Sequence, residues 1–284
     1  SDFDEENRFY LHLYCVNPAV NLQECLERGN STIFFSATLL PVNYYKNLLS
    51  SKKDNYAVYA DSVFREEQRL LFIGRDVSSL YTRRTIGEFR RIALYIQQVL
   101  RAKKGNYLIF FPSYRFMEDV YEQFLAVNEQ EADCIMQSGN MNEAEREEFM
   151  QEFVESREKS LAAFCVLGGI FSEGIDLKED LLIGVLIVGT GLPQICTQRE
   201  ILKEYYQKEN GQGFDYAYQY PGMNKVLQAA GRVIRTASDR GIIGLLDERF
   251  LRNDYRQLFP REWSRYEVHT LASLPGALEN FWDK

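Results

Sequence analysis

Short apolar runs alternate with amphipathic stretches along most of this chain. The runs have the length of β-strands, and several are almost entirely apolar, as expected of strands covered on both faces. The predicted strands are residues 12–16, 32–35, 69–73, 107–111, 161–167, 182–188 and 242–246. This pattern predicts a sheet that lies between layers of other elements.

The amphipathic stretches carry apolar residues at helical spacing. Residues 88–101 and the region around 117–124 each have one apolar face, which predicts two helices. Asn142 with Glu145, and Thr197 with Glu200, have the spacing of a capping box, so two further helices are predicted to begin there. Because strands alternate with helices, the predicted fold class is α/β, with a mostly parallel sheet flanked by helices.

Polar residues follow three of the predicted strands. Ser36 and Thr38 come after the run 32–35, Ser113 and Tyr114 come after 107–111, and a glycine-containing segment, 168–176, follows 161–167. In open α/β sheets, ligands bind beyond the carboxyl ends of the strands. We therefore expect hydroxyls, carboxylates and small residues to lie along one edge of the sheet, which is the candidate working surface.

The segment 228–235 carries the most specific pattern of side chains. As one helix at about 100° per residue, it places Gln228, Arg232 and Arg235 within about 60° of one another, opposite a face of small apolar residues. Two arginines on one side of a helix repel each other unless an anion joins them, and guanidinium groups match phosphate geometry. A triphosphate is therefore the expected ligand; the alternative is that both arginines pair with surface carboxylates.

Other candidate residues also have ordinary structural interpretations. Glu173 and Asp176 can accept hydrogen bonds from a ribose or can cap a helix, and Ser113 can bind a phosphate or only cap the helix after it. The basic cluster, residues 83, 84, 90, 91, 101, 103 and 104, is most simply a solvated helix face. The aromatic residues at 205, 206, 214, 216, 218 and 220 can stack on bases, although packing in a core or hinge is more common.

The amino-acid composition argues against several classes of function. Of the 284 residues, 45% are hydrophobic, and the formal net charge is −8, which argues against a nucleic-acid binder that relies on overall charge. No apolar stretch has the roughly 18 residues of a membrane helix, and no secretory leader is evident, so we expect an intracellular protein without membrane contact. The five cysteines are scattered and only two histidines occur, so no metal site is expected.

Two motifs that bind a nucleoside triphosphate and its Mg²⁺ are missing from the sequence. It contains no Gly-x-x-x-x-Gly-Lys-Ser/Thr loop, and its Asp247-Glu248 pair follows the arginine segment, in the wrong order for a magnesium-binding box. We therefore expect that this chain does not hydrolyse a nucleoside triphosphate by itself.

Four segments, in order, resemble the motifs of the C-terminal half of superfamily 2 DNA helicases of the XPD/DinG group. Residues 33–39 resemble motif III, 107–114 motif IV, 168–176 motif V and 228–235 motif VI, and the similarity spans about residues 10–260. The resemblance implies a junction segment, 1–50, with a motif III-like strand and loop. It also implies a RecA-like C-terminal domain, 51–284, that faces an ATP-loading motor domain across a cleft.

The resemblance also implies roles for individual residues. Arg232 and Arg235 would be arginine fingers, and the remaining ATP-binding residues would be Glu173, Gly174, Asp176 and Gln228. Ser36 and Thr38 would couple hydrolysis to movement, and Ser113 and Tyr114 would contact single-stranded DNA. The implied partners are this DNA and the protein's own N-terminal motor domain, which would bind most of the ATP and Mg²⁺. Any iron–sulfur cluster would lie in that domain, and its presence is left open.

Two other functions fit parts of the sequence. A non-catalytic nucleic-acid-binding or protein-interaction module on a degenerate motor fold would have little reason to keep Gln228, Arg232 and Arg235 together. An unrelated doubly wound enzyme would need a glycine-rich turn directly after its first strand, but Asn17-Pro18 stands there. The helicase half-motor is therefore the preferred hypothesis.

Overall fold

The computed structural model describes residues 2–3, 8–10, 13–171, 177 and 181–283. The chain divides into two compact units, the first made of residues 1–59 and 194–220 and the second of residues 60–193 and 221–284. No sequence pattern indicated that residues 194–220 associate with the N-terminal segment.

The strands form one short antiparallel pair and one seven-stranded sheet. They are β1 (Asp2–Phe3), β2 (Phe9–Tyr10), β3 (Arg69–Gly74), β4 (Asn106–Phe111), β5 (Ala132–Met136), β6 (Ser160–Val166), β7 (Gly184–Val188), β8 (Gly241–Leu246) and β9 (Glu267–His269). The large sheet has the order β5-β6-β4-β7-β8-β3-β9, and every neighbouring pair in it is parallel. The predicted parallel α/β architecture is therefore confirmed.

Burial on both faces explains why the central strands were recognised. All residues of β4, β7 and β8 are buried, and apart from Asn106 at the start of β4 each strand is an uninterrupted apolar or small-residue run. The predicted strands 69–73, 107–111, 161–167, 182–188 and 242–246 all correspond to strands of this sheet. The two strands missed, β5 and β9, are its edges, where exposed positions break the apolar run.

Two predicted strands in the N-terminal segment are wrong. Residues 13–16 form no strand, and His12 lies outside the described residues. The run 32–35 is also not a strand, and the side chains of Ile33 and Phe35 are 84% and 90% exposed. An apolar run becomes a strand only when a neighbour accepts its backbone hydrogen bonds, and no described strand pairs with this run.

The helices are α1 (Ala19–Leu26), α2 (Val42–Leu49), α3 (Ile86–Ala102), α4 (Tyr114–Asn128), α5 (Glu143–Gln151), α6 (Thr197–Asn210), α7 (Tyr220–Ala230), α8 (Asn253–Arg256) and α9 (Leu274–Trp282). Apolar side chains of α3, α4 and α9 share one buried core with one face of the large sheet. This packing accounts for the predicted apolar faces of the two long helices.

The helix N-termini test the predicted capping boxes. The Asn142 side chain accepts from the Glu145 N–H at 3.0 Å, and the Glu145 carboxylate accepts from the Asn142 N–H at 2.7 Å, so this box is confirmed. The predicted box at Thr197 is wrong because Cys196 occupies the N-cap position. Glu200 instead accepts from Lys203 Nζ at 2.8 Å and from the Tyr218 hydroxyl at 2.6 Å.

Aromatic packing holds the first unit together. Tyr206 and Tyr216 are almost fully buried, with ring centroids 4.1 Å apart, and Tyr44 lies edge-on to Tyr216 at 5.0 Å. These contacts join α2, α6 and a π-helical turn, Asp215–Gln219. For the buried members of the aromatic set, core packing is therefore the correct interpretation.

Candidate functional site

The loops that follow the strands of the second unit meet along one edge of the parallel sheet, here called the carboxyl edge. Gly189, after β7, has φ +85°, and a Cβ atom there would lie 2.4 Å from the Ser79 hydroxyl oxygen and 3.7 Å from the Pro112 ring. The loops after β3, β4 and β7 are thus in direct contact. Glycine is required at this position by both the left-handed backbone and the lack of space.

Ser113 and Tyr114 stand at this edge, where α4 begins. The Ser113 side chain accepts from the Phe116 N–H at 3.4 Å and so caps the helix. The Tyr114 hydroxyl accepts from Gln137 Nε2 at 3.0 Å, and Gln137 Oε1 accepts from the Val166 N–H at 3.0 Å. A buried glutamine therefore connects the residue after β4 to the end of β6, where the motif V-like segment begins.

Sequence reasoning missed Gln137 because it follows the unrecognised edge strand β5. It also missed Lys225, whose side chain passes over Gly168, so that a Cβ atom at Gly168 would lie 2.8 Å from Lys225 Cε. The predicted residues Glu173, Gly174 and Asp176 lie outside the described residues.

A buried carboxylate organises the loop after β3. Asp247, which is fully buried at the end of β8, accepts from the Ser79 N–H and from the Ser79 hydroxyl, each at 2.8 Å. The Arg249 guanidinium donates to Asp247 at 2.8 Å and 2.9 Å and to Ser79 Oγ at 2.6 Å. Burial lowers the pKa of Arg249, but its hydrogen bonds and charge attraction to Asp247 outweigh this effect and leave the pKa above its ordinary value.

Ser36 and Thr38 follow a run, 32–35, that forms no strand of the seven-stranded sheet. They belong to the first unit, where the Ser36 side chain accepts from the Thr38 N–H at 3.2 Å; Ser36 is exposed and Thr38 is half-buried.

The predicted continuous helix through 228–235 is also wrong. Helix α7 ends at Ala230, and the N–H groups of Arg232 and Val233 bond to carbonyls three residues back, at 3.3 Å and 3.4 Å. Arg232 and Arg235 therefore do not share a helical stripe with Gln228. All three side chains are half-buried.

Asp239 fixes the backbone beyond the end of α7, at Arg235 and Thr236. Its carboxylate accepts from the N–H groups of Arg235 and Thr236, at 2.7 Å and 2.8 Å, and these bonds replace the helical ones. Burial raises the pKa of this carboxyl, but hydrogen bonds from the Thr236 hydroxyl and from both N–H groups lower it below its ordinary value. Asp239 thus holds the backbone of Arg235 in a fixed turn.

The candidate residues fall into two separate groups in the second unit. Near its start, α7 crosses the loop after β7, where a Cβ atom at Gly191 would lie 2.6 Å from the Gly222 carbonyl oxygen. Beyond its end, Val233 packs against Gly241, the first residue of β8. Helix α7 has 11 residues, or about 16 Å. The arginine turn therefore lies toward the amino-terminal ends of the strands, away from Ser113 and Tyr114.

No group of three or more potential metal ligands occurs within the described part of the chain. In the same residues, no helix is both long and apolar enough to cross a membrane. All five cysteines are free thiols.

Comparisons with known proteins agree with these features. The family model for a helicase C-terminal domain matches residues 96–266, which is more than half of the chain. The ATP-dependent DNA helicase XPD of Sulfolobus acidocaldarius is 29% identical over 84% of this chain and 43% of its own length. The 3′-5′ exonuclease DinG of Staphylococcus saprophyticus is 27% identical over 86% of this chain and 26% of its own length.

Among solved structures, an XPD helicase superposes with a TM-score of 0.66 and 24% identity, over 87% of this chain and 44% of that one. This match confirms the predicted RecA-like fold and, with the two sequence relatives, the resemblance to the XPD/DinG group. The chain spans less than half the length of each of these three proteins.

Proposed function

Since the chain belongs to the helicase C-terminal domain family, we propose that it is the second motor domain of an ATP-dependent DNA helicase. The observation that carries the proposal is the turn in which the Asp239 carboxylate holds the backbone of Arg235, three residues after Arg232. A fixed backbone favours arginines that must meet a phosphate in one geometry, because a guanidinium recognises phosphate through a planar fork.

In this proposal Arg232 and Arg235 are the arginine fingers, which stabilise charge on the transferring phosphoryl group. Gln228 contacts the nucleotide from the last turn of α7, and Glu173, Gly174 and Asp176 complete the nucleotide side. The donor set of the described residues offers no metal site, so we assign the Mg²⁺ that accompanies ATP to the first motor half. The fragment is then inactive without that half.

We place the single-stranded DNA at the carboxyl edge, where Ser113 and Tyr114 begin α4. Support comes from the separation of this edge from the arginine turn by about the length of α7, since DNA and ATP then have separate sites joined by one helix. Ser36 and Thr38 are proposed to couple hydrolysis to movement from the first unit.

The exposed side chains of segment 32–35 support the proposal that the first unit binds a partner. Ile33 and Phe35 are 84% and 90% exposed, although their sequence has the composition of a buried strand. Large apolar side chains exposed together mark an interaction site. We propose that the first motor half pairs with this segment and buries it.

The function is tested by measuring ATP hydrolysis by this chain, by its first motor half and by their mixture, with and without single-stranded DNA. ATP hydrolysis is expected only in the mixture that contains single-stranded DNA. Hydrolysis by this chain alone would contradict the assignment, and silence in a mixture of two folded halves would favour the non-catalytic module.

The DNA role of Ser113 can be separated from its capping role. Asparagine and aspartate cap helices about as well as serine, but only aspartate adds negative charge. Ser113→Asp is expected to weaken binding of labelled single-stranded DNA about tenfold, because the added carboxylate repels the phosphate backbone. Ser113→Asn is the control and should bind nearly as the parent does. Equal binding by both variants would leave Ser113 as a helix cap alone.

A further inference from the structure

One arginine of the basic cluster has an environment unlike that of its neighbours. Three of the other six residues have carboxylate partners: Arg83 pairs with Glu88 and Glu248, Arg91 with Glu88, and Arg101 with Glu131. The remaining three are exposed to solvent. Arg84 is half-buried, yet no carboxylate of the described residues lies within ion-pair distance of it. The carboxylate whose attraction raises the pKa of Arg84, Asp119, is already paired with Arg115 at 3.3 Å.

The Arg84 guanidinium is held in place by contacts that leave its charge unneutralised. It lies 4.6 Å from the ring centroid of Phe116, in the first turn of α4, and its Nε donates to the Ser79 carbonyl at 3.4 Å. Burial lowers the pKa of Arg84, and the attraction of Asp119 only partly opposes this effect. An anion that binds here would therefore restore the electrostatic stabilisation that burial removes.

An exposed aromatic ring stands next to this guanidinium. The Tyr81 side chain is 84% exposed, and its ring centroid lies 5.6 Å from Arg84 Cζ. Both residues belong to the loop after β3, which Asp247 fixes through the N–H and hydroxyl of Ser79. A rigid loop therefore presents a flat aromatic surface and an unpaired positive charge side by side.

We infer that Tyr81 and Arg84 bind one nucleotide of single-stranded DNA, with its base stacked on the Tyr81 ring and its phosphate on the Arg84 guanidinium. A base and its phosphate are the two groups that an aromatic ring and an arginine recognise together without sequence preference. The inference rests on the proposed function and extends its DNA site from Ser113 to the loop after β3. An acidic protein partner would need the charge of Arg84 but would have no need of the adjacent exposed ring.

The test measures binding of a short fluorescein-labelled oligothymidylate to the full chain over a range of salt concentrations. Arg84→Gln is expected to weaken binding about tenfold and to reduce the slope of log affinity against log salt by about 0.7, the value for one phosphate of a single strand. Tyr81→Ala is expected to weaken binding about tenfold with an unchanged slope, and Tyr81→Phe should restore the affinity because phenylalanine still stacks.

Arg90→Gln is the matched control, because it removes an exposed arginine of the same cluster and should change affinity less than about twofold. Thermal melting of each variant verifies that it is folded. If the parental chain binds and the Arg84 and Tyr81 variants bind with the same affinity, the inference is wrong but the proposed function stands. No binding by the parental chain overturns the inference and the DNA site placed at the carboxyl edge, whereas the motor role is decided by ATP hydrolysis in the mixture.

Discussion

Replacing Arg235 with alanine is expected to lower DNA-stimulated ATP turnover at least about 100-fold in the mixture of this chain and its first motor half. The loss should fall on turnover and leave ATP binding largely intact, because an arginine finger stabilises charge that develops only in the transition state. Turnover is followed by phosphate release, and binding by a fluorescent ATP analogue. Arg235→Lys should remain strongly impaired, since lysine keeps the charge but lacks the planar fork.

Arg256→Ala is the control for this experiment. Arg256 is an exposed arginine of α8 in the same unit, so its removal changes the net charge equally. Its turnover should stay within about twofold of the parent, because exposed charges are screened by salt. Near-normal turnover by Arg235→Ala would remove the finger assignment, and loss of ATP binding would indicate a role in the ground state.

Replacing Asp247 with alanine is expected to lower the free energy of unfolding by about 3–5 kcal/mol. The substitution leaves the Arg249 guanidinium, whose side chain is only 12% exposed, without its carboxylate, and it removes the acceptor for two donors of Ser79. An uncompensated buried charge is among the most costly defects in a folded protein. Urea unfolding followed by circular dichroism measures the change.

Asp254→Ala provides the matched comparison, because it removes a carboxylate that also pairs with an arginine at 2.8 Å. Its pair with Arg252 is open to solvent, with side-chain exposures of 62% and 42%, so its removal should cost no more than about 1 kcal/mol. The double substitution Asp247→Leu with Arg249→Met should recover much of the stability, since it removes both buried charges. Equal destabilisation by Asp247→Ala and Asp254→Ala would contradict the role given to this pair.

Helix α7 connects the two groups of candidate residues, and this arrangement bears on how ATP hydrolysis is coupled to movement on DNA. Helix α7 starts beside the loop after β7 and ends just before the arginine turn. A change at the carboxyl edge that shifts this helix along its axis would move Arg232 and Arg235 with it. The close approach of Gly191 and Gly222 permits no side chain at this crossing, so the helix and loop are packed backbone to backbone.

The fold class and the central strands could be predicted from the amino-acid sequence alone. A strand covered on both faces must be apolar at nearly every position, so β4, β6, β7 and β8 can be predicted without knowledge of their neighbours in the sheet. The helix start at Asn142 can also be predicted from sequence, because a capping box involves only residues three positions apart. The order of the four motif-like segments belongs to this category too, since it is a property of the chain.

The positions of the candidate side chains could not be predicted in this way, because they depend on how the chain folds. Helix α7 stops at Ala230, and Asp239 accepts the N–H groups of Arg235 and Thr236, which a longer helix would have used. The run 32–35 has the composition of a strand but no described partner. The pairing of Ser79 with Asp247 joins residues 168 positions apart. Hydrogen-bond partners as distant in sequence as Ser79 and Asp247 leave no local pattern, and this pair fixes the loop after β3 at the carboxyl edge.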